Sequence, residues 1–132
     1  MIRRVRADLH VHTALSPCAD NDMVPPRIFV QVLRKHLEVI AITDHNSAEN
    51  VPAFVEAGND LGVVVVPGIE VQTVEEVHVL CLFATVEQVL AFQQTVYEHL
   101  PRLDNREDIF GLQLIVDREG KVTGKLDRLL LT

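Results

Sequence analysis

The sequence predicts an α/β fold with parallel strands, and three observations carry that expectation. Between Val5 and Val66 the pattern runs strand, helix, strand, helix, strand, which is the signature of parallel strands joined by helical crossovers. Each of those strands ends in polar residues of chemical interest: His10 and His12, then Asp44 and His45, then Glu70. Parallel α/β sheets and barrels hold their ligands at the carboxyl ends of the strands. Beyond Val71 the pattern changes. Only a few residues separate that strand from the apolar run Val77–Phe83. A parallel crossover needs a dozen or more, so these two must pair as an antiparallel hairpin.

The elements follow in order. Residues 5–11 alternate as a short strand. A loop rich in Ser, Pro, Asp and Asn runs from Thr13 to Val24. Pro25 and Pro26 then open a helix that reaches about Leu37, with Ile28, Phe29, Val32 and Leu33 on its apolar face. Glu38–Thr43 is a buried strand. Ser47 is a plausible N-cap for a helix that reaches Leu61 and stops at Gly62. Val63–Val66 is apolar throughout, as suits a strand covered on both faces. A turn centred near Val74 would place Glu70 and His78 directly across from each other. Val86–Leu100 is an amphipathic helix, and Asp117–Gly120 is the turn of a second hairpin flanked by Leu112–Val116 and Lys121 onward.

Bulk composition narrows the class. A chain of 132 residues that is 48% apolar can bury one core. A net charge of −7 disfavours general coating of nucleic acid, which is driven by counterion release from phosphates. Cys18 and Cys81 are too few for a disulfide scaffold and fit a reducing compartment. No secretory leader and no membrane-spanning run is evident, so a cytoplasmic protein without membrane partners is expected.

Chemistry concentrates in four short segments. In His10-Val11-His12 the two imidazoles project from one face of a strand and can reach a single metal ion; the bland reading is a pair of surface histidines. In Thr43-Asp44-His45 a histidine follows an apolar strand beside a carboxylate able to orient it, or Asp44 simply caps the next helix. Glu70 interrupts a strand built for burial, where an unpartnered carboxylate is costly and a bridging role between two metals would stabilise it. His78 lies among Val77, Val79, Leu80 and Leu82, and its position against Glu70 raises it above an ordinary core histidine. His36 and His99 fall near helix ends and read as solvent-facing, and Cys81 reads as core.

Together Asp8-Leu-His10-Val-His12-Thr, Ile42-Thr-Asp44-His45-Asn, Pro67-Gly-Ile-Glu70 and Val77-His78-Val-Leu resemble the first three motifs of the PHP (polymerase and histidinol phosphatase) superfamily, in order and spacing. The resemblance implies a distorted β/α barrel, here a partial one, and phosphoesterase chemistry. It also implies two or three divalent ions, with zinc, manganese or iron favoured over magnesium. By position, His10, His12 and Glu70 would hold one metal, and Glu70 and His78 a second. His45 would belong to a third, completed by Cys18 or Asp20 from the loop Ser16-Pro-Cys18-Ala-Asp20. A thiolate there would bias the site toward zinc or iron. The alternative for Cys18 is a small buried thiol. The family's later motifs, another histidine and an Asp-x-His, have no counterpart after His78, where His99 is the one remaining histidine.

The reading is therefore a metal-dependent phosphoesterase acting on a small phosphate ester or nucleotide, with Asp44 as an orienting residue in the catalytic set. Low turnover is expected from the missing motifs. The competing readings are a metal-binding or assembly module without turnover and a hydrolase of non-phosphate substrates. Open edges and the apolar end Leu129-Leu130-Leu131 point to a homo-oligomer, most simply a two-fold dimer with the hairpin 112–131 near the contact.

Overall fold

A computed structural model describes residues 1–131. The first strand, β1 (Ala7–Val11), leads through the 12–24 loop to helix α1 (Pro25–Arg34). Strand β2 (Val39–Ile42) and helix α2 (Val51–Leu61) complete the next unit, followed by β3 (Val64–Gln72) and β4 (His78–Leu82). Helix α3 (Val86–His99), a single turn α4 (Glu107–Phe110) and the hairpin β5 (Leu114–Val116) and β6 (Val122–Lys125) follow. The first four strands form one sheet in the order β1-β2-β3-β4, parallel across the first three and antiparallel at β4. The expected α/β class thus holds: a curled half-barrel of mainly parallel strands with a separate antiparallel hairpin.

Helices α1, α2 and α3 build one core against the sheet. Phe29 and Val32 from α1, Phe54 from α2, Ile40 and Ile42 from β2, Ile69 from β3 and Val89 from α3 are all buried there. The largest of these side chains each stabilise the fold by about 2–3 kcal/mol through lost apolar exposure. Leu33, expected on the α1 core face, is instead exposed. Cys81 packs partly buried against the core, as expected.

Local chemistry explains the boundaries. Pro25 sits in the first turn of α1, where its missing N–H costs nothing. Gly62 ends α2 in the left-handed conformation at φ 72°, which glycine adopts without a Cβ penalty. Thr85 and Gln88 form a reciprocal capping box on α3. The proposed cap of α2 is corrected: Asn50, not Ser47, precedes the helix. Ser47 is fully buried, and its hydroxyl is engaged by Tyr97 Oη at 2.6 Å and Gln93 Oε1 at 3.4 Å, so it ties the loop to α3.

The β3–β4 register also differs from expectation. Glu70 faces Leu80, and His78 faces Gln72, so the turn centres on Glu75. Thr73 N–H donates to the Val77 carbonyl at 2.9 Å, closing a three-residue loop whose last member, Glu76, takes φ 63°. A left-handed third residue is the usual way such a loop matches strand twist. Glu70 and His78 become diagonal neighbours on one face, still within side-chain reach.

The C-terminal residues fold over their own chain. Leu130 is buried with Leu15 and Leu100, and its backbone carbonyl accepts from Asn46 Nδ2 at 2.7 Å. Leu114 N–H donates to the Ala14 carbonyl, which fixes the hairpin to the loop after β1. The apolar segment that suggested an intermolecular contact is therefore covered internally at Leu130. The sheet edges β1 and β4 have no further strand partner among the described residues.

Candidate metal centre

Four strand ends converge on one carboxylate. Glu70 is 5% exposed, and its Oε2 lies 2.9 Å from His10 Nε2 and 2.7 Å from His12 Nε2. Its Oε1 lies 3.1 Å from His78 Nδ1, and His45 Nδ1 stands 3.8 Å from Oε2. The four imidazoles form a continuous arc, with successive ring centroids 5.0, 4.6 and 5.5 Å apart from His10 through His12 and His45 to His78. The sheet explains this convergence. His10 and His12 share a face of the β1 end, His45 follows β2, and the register of β3 with β4 presents Glu70 and His78 together. Backbone bonds lock the middle: Glu70 N–H donates to the Asp44 carbonyl and Asn46 N–H to the Glu70 carbonyl, both at 2.9 Å.

Gly68 permits this approach. A Cβ there would meet the Ile42 carbonyl oxygen and Thr43 Cγ2 at 2.9 Å and Leu82 Cδ2 at 3.0 Å. The glycine is required for close packing between strands, not for its backbone angles.

Three overlapping groups place their ligand atoms within 4.8 Å of one another: His10, His12 and Glu70; His45, Glu70 and His78; and His12, Cys18 and His45. Cys18 is exposed, with Sγ 3.3 Å from His12 Nδ1, which removes the alternative of a small buried thiol. Asp20 is exposed and lies outside all three groups, so of the two loop candidates only Cys18 is brought to the cluster. His36 and His99 are exposed, as read from the sequence, and His99 Nδ1 bonds the Thr95 carbonyl at the end of α3.

Asp44 is also outside the groups. It is fully buried beneath them and accepts from Thr13 N–H at 2.6 Å, Thr13 Oγ at 2.7 Å and Ser16 Oγ at 2.7 Å. Burial pushes its pKa up, while these hydrogen bonds from Thr13 and Ser16 oppose that rise. Ser16 Oγ spends its single proton on Asp44 and accepts from the His45 backbone N–H at 3.1 Å. Facing His12 Nδ1 at 3.1 Å, it can act there only as an acceptor. The hydroxyl therefore assigns the proton of His12 to Nδ1 and leaves Nε2 directed at the cluster.

The arrangement fits a cation. His45 is buried, yet its Nδ1 has no hydrogen-bond partner among the described residues. Burial, then the neighbouring His12, pushes its pKa down to about 4, so the ring is neutral near pH 7 and offers a free lone pair. Burial alone would raise Glu70, but hydrogen bonds from His10 and His78 outweigh it and hold the carboxyl below its ordinary value. His12 Nε2 and Glu70 Oε2 face each other at 2.7 Å, a contact that needs a proton on one of them or a metal ion beside both. Imidazole nitrogens and a carboxylate gathered in this way suit a divalent metal ion.

Sequence reasoning missed Thr13, Ser16 and Asn50. Asn50 Nδ2 donates to Thr13 Oγ and to the Leu114 carbonyl, each at 2.9 Å, and its Oδ1 accepts from Val116 N–H at 3.0 Å. Each is a small polar residue in a loop or helix cap, a common type at such positions, and only full burial separates it from a solvated neighbour.

Fold and cluster define a class: an α/β half-barrel that gathers histidines and a glutamate at its strand ends as a candidate metal centre. The PHP domain model matches residues 8–131, and the chain belongs to the PHP domain family. An uncharacterized protein of Methanocaldococcus jannaschii is 32% identical over 101 residues, covering 70% of this chain and 59% of that protein. The PolC-type DNA polymerase III of Bacillus cereus is 36% identical over 73 residues, which is 54% of this chain and 5% of the polymerase. In three dimensions the chain is similar to a crystal structure of a candidate metal-dependent phosphoesterase from Bifidobacterium adolescentis. That match has a TM-score of 0.51 and 22% identity, over 70% of this chain and 33% of the other. The chain thus spans less than two thirds of the length of each of these proteins. No helix of the described residues is long and apolar enough to cross a membrane.

Proposed function

We propose that this domain is a metal-dependent phosphoesterase that hydrolyses a small phosphate ester or nucleotide. The observation that carries the reading is the buried Glu70 with its two oxygens turned to different histidines, Oε2 to His10 and His12 and Oε1 to His78. His10, His12 and Glu70 would hold one cation, and His45, Glu70 and His78 would hold another. Bound divalent ions supply charge neutralisation at phosphoryl oxygens and lower the pKa of water enough for attack at neutral pH. The residues supply the rest. His10 and His78 have half-exposed side chains, so the centre opens to a substrate from solvent. His45 is buried and His12 is partly buried, and this inner pair is the less accessible to solvent. Asp44 acts from below as a positioning residue, through Ser16, on the ring of His12.

A second reading, metal binding without turnover, is favoured by one observation. Among the described residues, none after His78 joins the cluster, and phosphoryl transfer needs a clamp on both attacking and leaving oxygens. Purified chain loaded with manganese or zinc and assayed on a generic phosphate ester decides between them. Turnover lost in His12→Ala supports the phosphoesterase. Stoichiometric metal with no turnover above the His12→Ala background selects the binding module. A homo-oligomer and a cytoplasmic setting belong to the same proposal, to be tested by sedimentation and by fractionation of cells.

A further inference from the structure

A recess of about 410 Å³ lies between the end of β3 and the end of α3, a volume that holds a small organic group. Its walls are mostly apolar, with Val71 and Val74 on one side and Val96, Leu100 and Pro101 on the other. No Asp, Glu, Lys or Arg lines it among the described residues, so a phosphate finds no charged partner there. His99 completes the wall. Its Nδ1–H donates to the Thr95 carbonyl at 2.8 Å, which ties the ring to the last turn of α3 while leaving it exposed. The recess therefore offers aliphatic walls and one tethered flat ring.

Topology brings this recess to the end of the sheet that bears the imidazole cluster. Strand β4 is antiparallel to β3 and carries the chain back, so α3 returns toward the strand ends. Ser47, two residues past His45, meets Tyr97 Oη at 2.6 Å and pins the last turns of α3 there. Asn46 and Gln72 form a wall common to recess and cluster. Asn46 follows His45, and its N–H donates to the Glu70 carbonyl at 2.9 Å. Gln72 N–H donates to Asn46 Oδ1 at 3.1 Å, and Gln72 faces His78 across the hairpin. The recess thus begins within two residues of His45 and Glu70. We infer that it receives the leaving group of the phosphate ester and selects one that carries a planar ring, a nucleobase or an aryl group, stacked on His99. The aliphatic side chains surround such a ring and exclude water from it, whereas a small hydroxylated leaving group would gain nothing from them.

The inference rests on the phosphoesterase reading, and the experiment lets either fail alone. The chelator-treated full chain is titrated with adenosine, benzyl alcohol and ring-free ribose, and its amide and imidazole signals are followed by NMR. Saturable shifts centred on Thr73, Val74, Leu100 and the His99 ring are expected with the two ring-bearing probes and not with ribose. The tighter of the two identifies the ring as nucleobase or aryl. Folded His99→Ala should weaken this binding about three- to tenfold, the equivalent of one ring-stacking contact, and His99→Phe should restore it. Manganese-loaded chain is then assayed on benzyl phosphate and ethyl phosphate, whose leaving alcohols are similarly basic. His99→Ala should raise KM for the benzyl ester by the same factor and leave the ethyl ester unchanged. An equal response to ribose, or unchanged ring affinity in folded His99→Ala, would overturn the recess. An equal loss on both esters would overturn the selectivity given to His99. Ring binding at the recess with no turnover of either ester would uphold it as a ring-binding site and overturn the phosphoesterase reading alone.

Discussion

Two buried acids lie one backbone hydrogen bond apart and live in opposite surroundings. Glu70 is ringed by imidazoles, whose nitrogens can carry either a proton or a metal ion. Asp44 is ringed by a backbone amide and two hydroxyls, which keep their protons across the physiological range. The first environment can change its contents, and the second cannot. Exchangeable partners mark where a ligand enters, whereas fixed donors mark the frame that holds the entrance in place. Degree of burial alone would have ranked the two acids together, since both are nearly inaccessible.

The contrast can be broken by mutation. Removing the frame should cost the most stability. Asp44→Ala strands three donors inside the protein, and metal-free chain should lose about 3–5 kcal/mol by urea denaturation. A change below about 1 kcal/mol would mean that Asp44 is no more structural than Glu70. Glu70→Gln should show the reverse profile. Metal affinity should fall by more than about a hundredfold, since replacing even an outer partner of a metal ligand costs 10–100-fold. Its metal-free stability should change far less than that of Asp44→Ala. Equal metal content in this variant and the wild type would remove Glu70 from the centre.

Acid should separate the two regions by sign. The folded His45 pKa, about 4, lies below its ordinary 6.5, so between these values the unfolded chain binds more protons than the folded one. Stability from this ring is complete above about pH 6.5 and declines as the pH falls toward 4. Glu70, with its lowered value, works in the same direction at lower pH. Asp44, with its raised value, opposes them, contributing stability at low pH that fades as pH rises through its folded pKa. Urea midpoints of chelator-treated protein at pH 7 and pH 4.5 measure the balance. Replacing His45 by Asn should flatten the profile, and an unaltered slope would locate the acid sensitivity elsewhere. The smallest effect is expected at the joint between the regions. Gly68→Ala forces a Cβ against the Ile42 carbonyl and Thr43, and should cost about 1–3 kcal/mol with a weaker metal affinity.

The exchangeable region could be read from sequence far better than the fixed one. Histidine and glutamate at strand ends are conspicuous, because neither residue is needed to fold an apolar strand. Thr13, Ser16 and Asn50 carry no such signal, since small polar residues at loops and caps are ordinary. Their role depends on contacts 28 to 66 residues away, which no local pattern encodes. The hairpin centre was displaced by one residue for a related reason. A left-handed third loop position is usually announced by glycine, and here Glu76 occupies it. Ser47 is not the cap because Gln93 and Tyr97, 46 and 50 residues away, claim its hydroxyl. Cys18 was ambiguous because a cysteine beside HxH packs or ligates equally well until its exposure is known.

The strap formed by residues 112–130 has a consequence for how the domain comes into being. Asn46 meets the Leu130 carbonyl across 84 positions of sequence, and Asn50 meets Leu114 and Val116 across 64 and 66. The loop bearing Ser16 and Cys18 is thus fastened by residues synthesised long after it. During translation the histidines emerge first, but the scaffold beneath them is incomplete until residue 130 has left the ribosome. Closing such long loops costs entropy before any contact rewards it, so the last step of folding is expected to be slow. Until then the nascent chain carries a loose set of thiol and imidazole groups, open to whatever cation arrives first.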